Sequence, residues 1–339
     1  MWFINSFSAV VILMFFSSTS FSQESEGIVA KRIKSTDVYN EKEFVVNVTD
    51  ITIVDDRIVI VDDKAGKIVL SDLNLDEFQT FGTLGAGPQE FGRPYMLLND
   101  IEDQKLYIYD NQKFRIWPID MTNLELEKGF SFEFMMVYQT VAIKNSLVYF
   151  TSISRPEVDV LRYDIKERKQ LSGIDLDKSS VESFMGRYIL SSNDRFVVVS
   201  PYDGLVVDTF NKEWKLIDTK DLSTLPIVKK RLSMNRASGV SISGSGKNQI
   251  NVKSGKSTIS SMRLDGDDLY LLAYSRDKAL KSRANVILKY TFKNKSWSPS
   301  GKIILPQENS YSTFDFLPDG SKIVAFDREN GTIDLFDIK

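Results

Sequence analysis

The sequence predicts an all-β fold: a six-bladed β-propeller of four-stranded antiparallel blades, with the ring closed by an N-terminal strand. Two observations predict it. A β-rich run recurs six times, as Ile58 to Asp62, Leu106 to Asp110, Leu147 to Thr151, Phe196 to Ser200, Leu269 to Ala273 and Ile323 to Asp327. Six copies at about 50 residues each fill the chain after its leader, and that is the size of one four-stranded blade. The copies also agree in detail. Asp62, Ile68 and Asp72 have the spacing of Asp110, Ile116 and Asp120, and of Asp327, Ile333 and Asp337.

The leader comes first. Met1 to Ser22 has no acidic or basic side chain, an apolar run from Val10 to Phe16, and small residues Ser20 and Ser22 before Gln23. That is a signal-peptide outline, and its apolar stretch falls short of the roughly 20 residues that span a bilayer. Residues 1–22 are therefore expected to be a signal peptide and 23–339 one propeller domain, exported to a periplasmic or extracellular location with no transmembrane segment after cleavage. The chain has no cysteine, so it carries no disulfide, no thiolate nucleophile and no lipid-bearing residue after the leader, and is not expected to be a lipoprotein. It has no histidine either, which removes the commonest general base and zinc ligand. The formal charge of −3 predicts no general attraction to nucleic acid.

After the leader, Gly27 to Lys34 precedes the first copy, while the last copy, Tyr311 to Lys339, has room for only three strands. The N-terminal segment can supply the missing outer strand and leave only short sheet edges. Within the copies, the first aspartate of each triplet is expected to satisfy turn amides where the second strand folds back to the third, and the apolar residue six positions later to start that third strand. Those aspartates read as structural.

The second copy carries a family signal. Phe81 to Asp120 has Gly85, Gly87, Pro88, Phe91 and Pro94 in a glycine-rich entry, then a β pair ending in Asp110, then Arg115-Ile116. This resembles one NHL repeat, with Lys113 standing where that family often has Asn. Together with the leader and six degenerate copies, the chain is similar to secreted, TolB-like six-bladed propellers. The resemblance implies a fold, and fold does not name function.

In a propeller with strands a to d running outward, the d-to-a and b-to-c connections share one face. Leu222 to Lys256, read as an irregular d-to-a connection, carries Lys229, Lys230, Arg231, Arg236, Lys247, Lys253 and Lys256 without an acidic residue. Ser275 to Asn285, a b-to-c connection, adds Arg276, Lys278, Lys281 and Arg283 against Asp277. This cluster either concentrates an anionic ligand or is a solvated loop. At the entries to the inner strands stand Arg93 and Tyr95, Arg187 and Tyr188, Tyr138, and Tyr311. If these surround the channel mouth, the forked guanidinium and the flat phenol suit acidic groups and sugars; otherwise they cover strand ends.

The function expected is a binding or interaction module for an anionic ligand, which could be a small molecule, a glycan, a peptide or an envelope protein, with the chain a monomer and no cofactor required. The alternative is a hydrolase or lyase at the channel mouth using carboxylate-bound calcium.

Overall fold

The computed structural model describes residues 27–37, 47–87, 89–132, 136–152, 158–176, 187–192, 194–202, 204–233, 239–242, 250–253, 257–276 and 281–339. The expected leader, Met1 to Ser22, lies outside the described residues. Among those described, no helix is long and apolar enough to cross a membrane.

Valine, isoleucine and aromatic runs broken by Asp-capped turns form six antiparallel sheets, which are the blades. Blade one is Val48–Val54, Arg57–Asp62, Lys67–Asp72 and Phe78–Phe81. Blade two has inner strands Pro94–Asp100, Lys105–Asp110 and Arg115–Asp120, with its outer edge split into two short pieces. The inner strands of blades three to six are Met136–Lys144, Tyr188–Ser191, Ile259–Asp265 and Tyr311–Phe316.

The expected ring closure is present, with its register shifted. The first two strands, β1 (Ile28–Val29) and β2 (Lys31–Asp37), divide the work. β2 pairs antiparallel with Thr332–Asp337 and is the fourth strand of blade six. β1 pairs parallel with the outer strand of blade five. One short segment thus clips the last two blades together. Asp334, fully buried, receives Ser35 Oγ at 2.6 Å and Arg32 Nε at 3.2 Å, so the closure is polar as well as main-chain.

The hydrophobic core is partitioned between blades. Among the described residues six clusters form, each from two neighbours; the one that joins blade six to blade one contains Val48, Ile51, Ile58, Ile60, Val324, Phe326, Ile333 and Leu335. Each such side chain contributes roughly 1.5–3 kcal/mol on burial. Trp297 of blade five also donates its indole N–H to Thr209 Oγ1 of blade four at 2.7 Å.

The turn aspartates behave as the repeat predicts. Asp62 Oδ1 accepts the amides of Lys64 and Ala65; Asp110 Oδ1 accepts those of Gln112 and Lys113; Asp327 Oδ1 accepts that of Glu329. Asp110 also takes the Gly92 and Arg93 amides at 2.6 and 2.9 Å, which fixes the entry of its own blade. Lys113 turns its ammonium onto the Gly87 and Glu90 carbonyls and so ties the glycine-rich loop to the same turn.

Candidate functional site: the channel mouth and its basic edge

The d-to-a and b-to-c face carries an unpredicted helix. Residues 222–256 read as irregular, yet Pro226–Ser233 is helical (α1), and 239–242 pairs with 250–253 as a two-stranded sheet. Pro226 occupies the first helical position, where its missing N–H costs nothing. Lys230 and Arg231 lie in the last turn, where the helix dipole favours cations. Val228 is buried in the core between blades four and five and anchors the helix.

Lys229 and Lys230 are exposed on α1. Arg231 is half-buried and positioned: its Nε donates to the Ser257 carbonyl at 3.1 Å, its Nη1 to Ser282 Oγ at 2.6 Å, and its guanidinium lies 4.1 Å from the Tyr274 ring centroid. The guanidinium of Arg328, from the b-to-c turn of blade six, stands 5.9 Å from the same ring. Burial, and then the charge of Arg328, hold the Arg231 pKa below its ordinary value. No described carboxylate lies within ion-pair distance of either guanidinium. A cavity of about 240 Å³ opens here, lined by Ile227, Lys230, Arg231, Tyr274 and Arg276.

Arg93 and Arg187 are placed differently from the expectation. Arg93 directs Nε and Nη2 onto Asp63 Oδ2 of blade one at 2.8 and 2.6 Å, and Arg187 is buried with Nη1 3.4 Å from Asp159 Oδ1 of blade three. Both are clasps between neighbouring blades. Tyr311 does not surround the mouth. It is fully buried, donating its hydroxyl to Asp334 at 3.1 Å and accepting from Arg32 at 3.2 Å; burial, reinforced by Asp334, pushes its pKa far up. The side chain of Tyr138 lies outside the described residues.

The reason Tyr311 turns inward is a β-bulge. Five inner strands carry a register shift near their start, at 48/50, 94/96, 136/141, 259/261 and 311/313. Each shift leaves extra residues unpaired, and these are Thr49, Tyr95, Ser260, Ser312 and, in blade three, the 137–140 stretch. A one-residue slip exchanges the faces of a strand. The structural counterpart of Tyr95 is therefore Ser312, and Tyr311 corresponds to Pro94. Thr49, Tyr95, Ser260 and Ser312 line a cavity of about 130 Å³ at this end of the channel, together with Tyr188. Burial raises the Tyr188 pKa well above its ordinary value, with Tyr202, Tyr95 and Tyr274 adding to the rise, so four phenols gather on this face.

Deeper in the channel, Arg263 of blade five reaches Asp50 of blade one at 2.8 Å and lies 3.7 Å from Asp315 of blade six. Burial pulls the Arg263 pKa down, but the two carboxylates outweigh it and the net direction is up. Asp315 also accepts the Ile53 amide at 2.9 Å across the seam. Beyond this triad the channel widens toward the opposite face into a cavity of about 870 Å³. The sequence reading missed Tyr274, Tyr202, Arg328 and the triad. Their signal is spatial: Arg328 and the three members of the triad come from different blades than their partners, and Tyr202 and Tyr274 meet Tyr188 only in the folded chain.

No protein-family model matches this sequence, and no curated protein matches it. Solved structures match its shape. The WD40 repeats of RRP9 align with a TM-score of 0.54 at 10% identity, over 91% of this chain and 99% of that one. The Kuenenia stuttgartiensis hydrazine synthase gives 0.51 at 10% identity, over 88% of this chain and 80% of that one. The β-propeller domain of Myceliophteria thermophila Cps50 (Swd1) gives 0.51 at 10% identity, over 91% and 100%. Likeness at this identity shows the fold: the chain is a β-propeller.

Proposed function

We propose that this chain is an exported binding or interaction module, periplasmic or extracellular and related to the NHL-like propellers, which holds an anionic ligand on the d-to-a and b-to-c face. One observation carries the reading: Arg231 and Arg328 share the Tyr274 ring with no described carboxylate between them. Arginine presents a planar fork suited to carboxylate, sulfate or phosphate, and stacking on an aromatic ring fixes its orientation. Two like charges held together repel, and an anion placed between them converts that repulsion into attraction. Lys230 adds a third cation to the same cavity. Arg93 and Arg187 hold carboxylates already and serve the ring.

Calorimetric titration of the chain with sulfate, phosphate, acetate and calcium at low and high salt tests the reading. Binding of at least one anion is expected, weakening with salt because exposed charges are screened over about 10 Å at 0.1 M. Arg231→Ala and Arg328→Ala should each lower anion affinity about tenfold, as loss of one charge-assisted bond predicts. Anion binding indifferent to both variants, or a response to calcium alone, overturns it.

A further inference from the structure

Resting on that anion-binding reading, we infer that the anion is an organic carboxylate carrying an apolar group the size of a benzene ring, its charge on Arg231 and its apolar end against Pro226, Ile227 and Tyr274. These four residues line one cavity, of about 240 Å³, and none of them is buried. No acidic side chain lines it among the described residues. A cavity of roughly 150 Å³ accepts a benzene ring, so this one has room for a ring and a charged end.

Helix α1 separates charge from apolar surface along that cavity. Pro226 and Lys230 are i,i+4 neighbours on one helix face, as are Ile227 and Arg231. The apolar pair therefore stands one turn, about 5.4 Å, before the cationic pair. Sulfate and phosphate carry oxygens on every side, and those turned to Pro226 and Ile227 would lose water without gaining a donor. A carboxylate joined by a short methylene link to an apolar group has its charge at one end only and matches both turns at once.

Arg231 is prepared for such a group. Its Nε and one Nη1 hydrogen are held by the Ser257 carbonyl at 3.1 Å and Ser282 Oγ at 2.6 Å. A guanidinium has five N–H donors, and no described acceptor takes the other three. The second Nη1 hydrogen and the Nη2 pair make an end-on fork, which a carboxylate accepts with both oxygens. The two serine contacts and the Tyr274 ring, 4.1 Å from the guanidinium, fix that fork before a ligand arrives, and a preorganised group loses less freedom on binding.

The test measures binding of 3-phenylpropanoate, acetate, phosphate, 3-phenylpropanamide and the tripeptide Gly-Gly-Phe to the whole chain, by calorimetry at low salt. The aromatic acid should bind at least roughly tenfold tighter than acetate, which lacks the apolar end, and than the amide, which lacks the charge. Ile227→Asn should lower the ratio of phenylpropanoate to acetate affinity about fivefold. Ile227 also packs on the core between blades four and five, so Pro226→Ser, at an exposed position, is the second variant and should lower the same ratio without a change in melting temperature. A tighter grip on the tripeptide than on phenylpropanoate assigns the source to the end of a peptide chain, and an equal or weaker grip to a free acid; both agree with the inference. Phenylpropanoate binding no tighter than acetate or phosphate, with all three weakened in Arg231→Ala, overturns the inference and leaves the anion site standing. Equal affinity for phenylpropanoate and its amide, or a ratio unmoved by both wall variants, overturns it too, and failure of every anion to bind removes the underlying reading as well.

Discussion

Asp50 is the point on which the inner polar network turns, and replacing it tests whether that network holds the ring. Its Oδ1 accepts the Ile51 amide at 3.0 Å and Arg263 Nη2 at 2.8 Å, and its Oδ2 accepts the Leu97 amide of blade two at 3.0 Å. One carboxylate thus joins blades one, two and five. In Asp50→Ala the buried Leu97 amide loses its acceptor, at about 1–3 kcal/mol. Arg263 keeps the Met262 and Ile51 carbonyls and Thr313 Oγ1 as acceptors, but among described carboxylates only Asp315, 3.7 Å away, and breaking a buried pair costs about 3–5 kcal/mol. The Arg263 and Asp50 side chains keep 23% and 13% of their surface open to the channel, so water softens the second term and the low end applies. The expected loss is about 4 kcal/mol, a large share of the roughly 5–15 kcal/mol that stabilises a folded domain. Asp50→Asn, which retains an acceptor, should lose about half as much. Urea unfolding at pH 7 measures both, and an Asp50→Ala, Arg263→Met double variant should be less destabilised than the sum of the single changes. A loss under about 0.5 kcal/mol in Asp50→Ala, the scale of an ordinary surface change, refutes the reasoning.

Asp315 makes a pH prediction. Burial raises its pKa above the ordinary 3.8, against the pull of Arg263. The folded chain then holds this proton more tightly than the unfolded one, so this carboxyl's contribution to stability is greatest at low pH and declines as pH rises from 3.8 through the folded value. Asp315→Asn should flatten that decline; an unaltered slope in pH-dependent urea unfolding contradicts the assignment. The N-terminal clip gives the other prediction. Deleting residues 28–37 removes the six register pairs between β2 and Thr332–Asp337 and reopens the ring, so the melting temperature should fall by roughly 10 °C or more and a peptide of the deleted sequence should restore it. An unchanged melting temperature would show that the ring closes without the clip.

The architecture was legible because its signals are local and periodic. The aspartates at 62, 110 and 327 each serve amides two or three residues away, so their spacing survives in the chain as a repeat. The missing fourth strand of blade six was legible for a similar reason: a copy three strands long must be completed from elsewhere. Arg93 and Arg187 misled because their carboxylates, Asp63 and Asp159, lie about one strand or more back in the chain and belong to the preceding blade. Helix α1 was hidden because it is short and only Val228 is fully buried, with Ile227 and Leu232 partly so, too little for a 3.6-residue stripe to register.

The bulges explain why the site was harder to read than the fold. Strand prediction assumes alternation with period two, and an extra residue inverts every position before it relative to those after. Tyr311 looked like the partner of Tyr95 because both are tyrosines at a strand start. The register shifts at 94/96 and 311/313 make Ser312 that partner and send Tyr311 to Asp334 at the closing seam. In most strands such a break would simply weaken pairing; here it recurs in five blades at one level and costs each of them a ladder bond. The recurrence belongs with the channel mouth, because the bulge residues of four blades, Thr49, Tyr95, Ser260 and Ser312, line one cavity there while Tyr311 is drawn away to the closing seam.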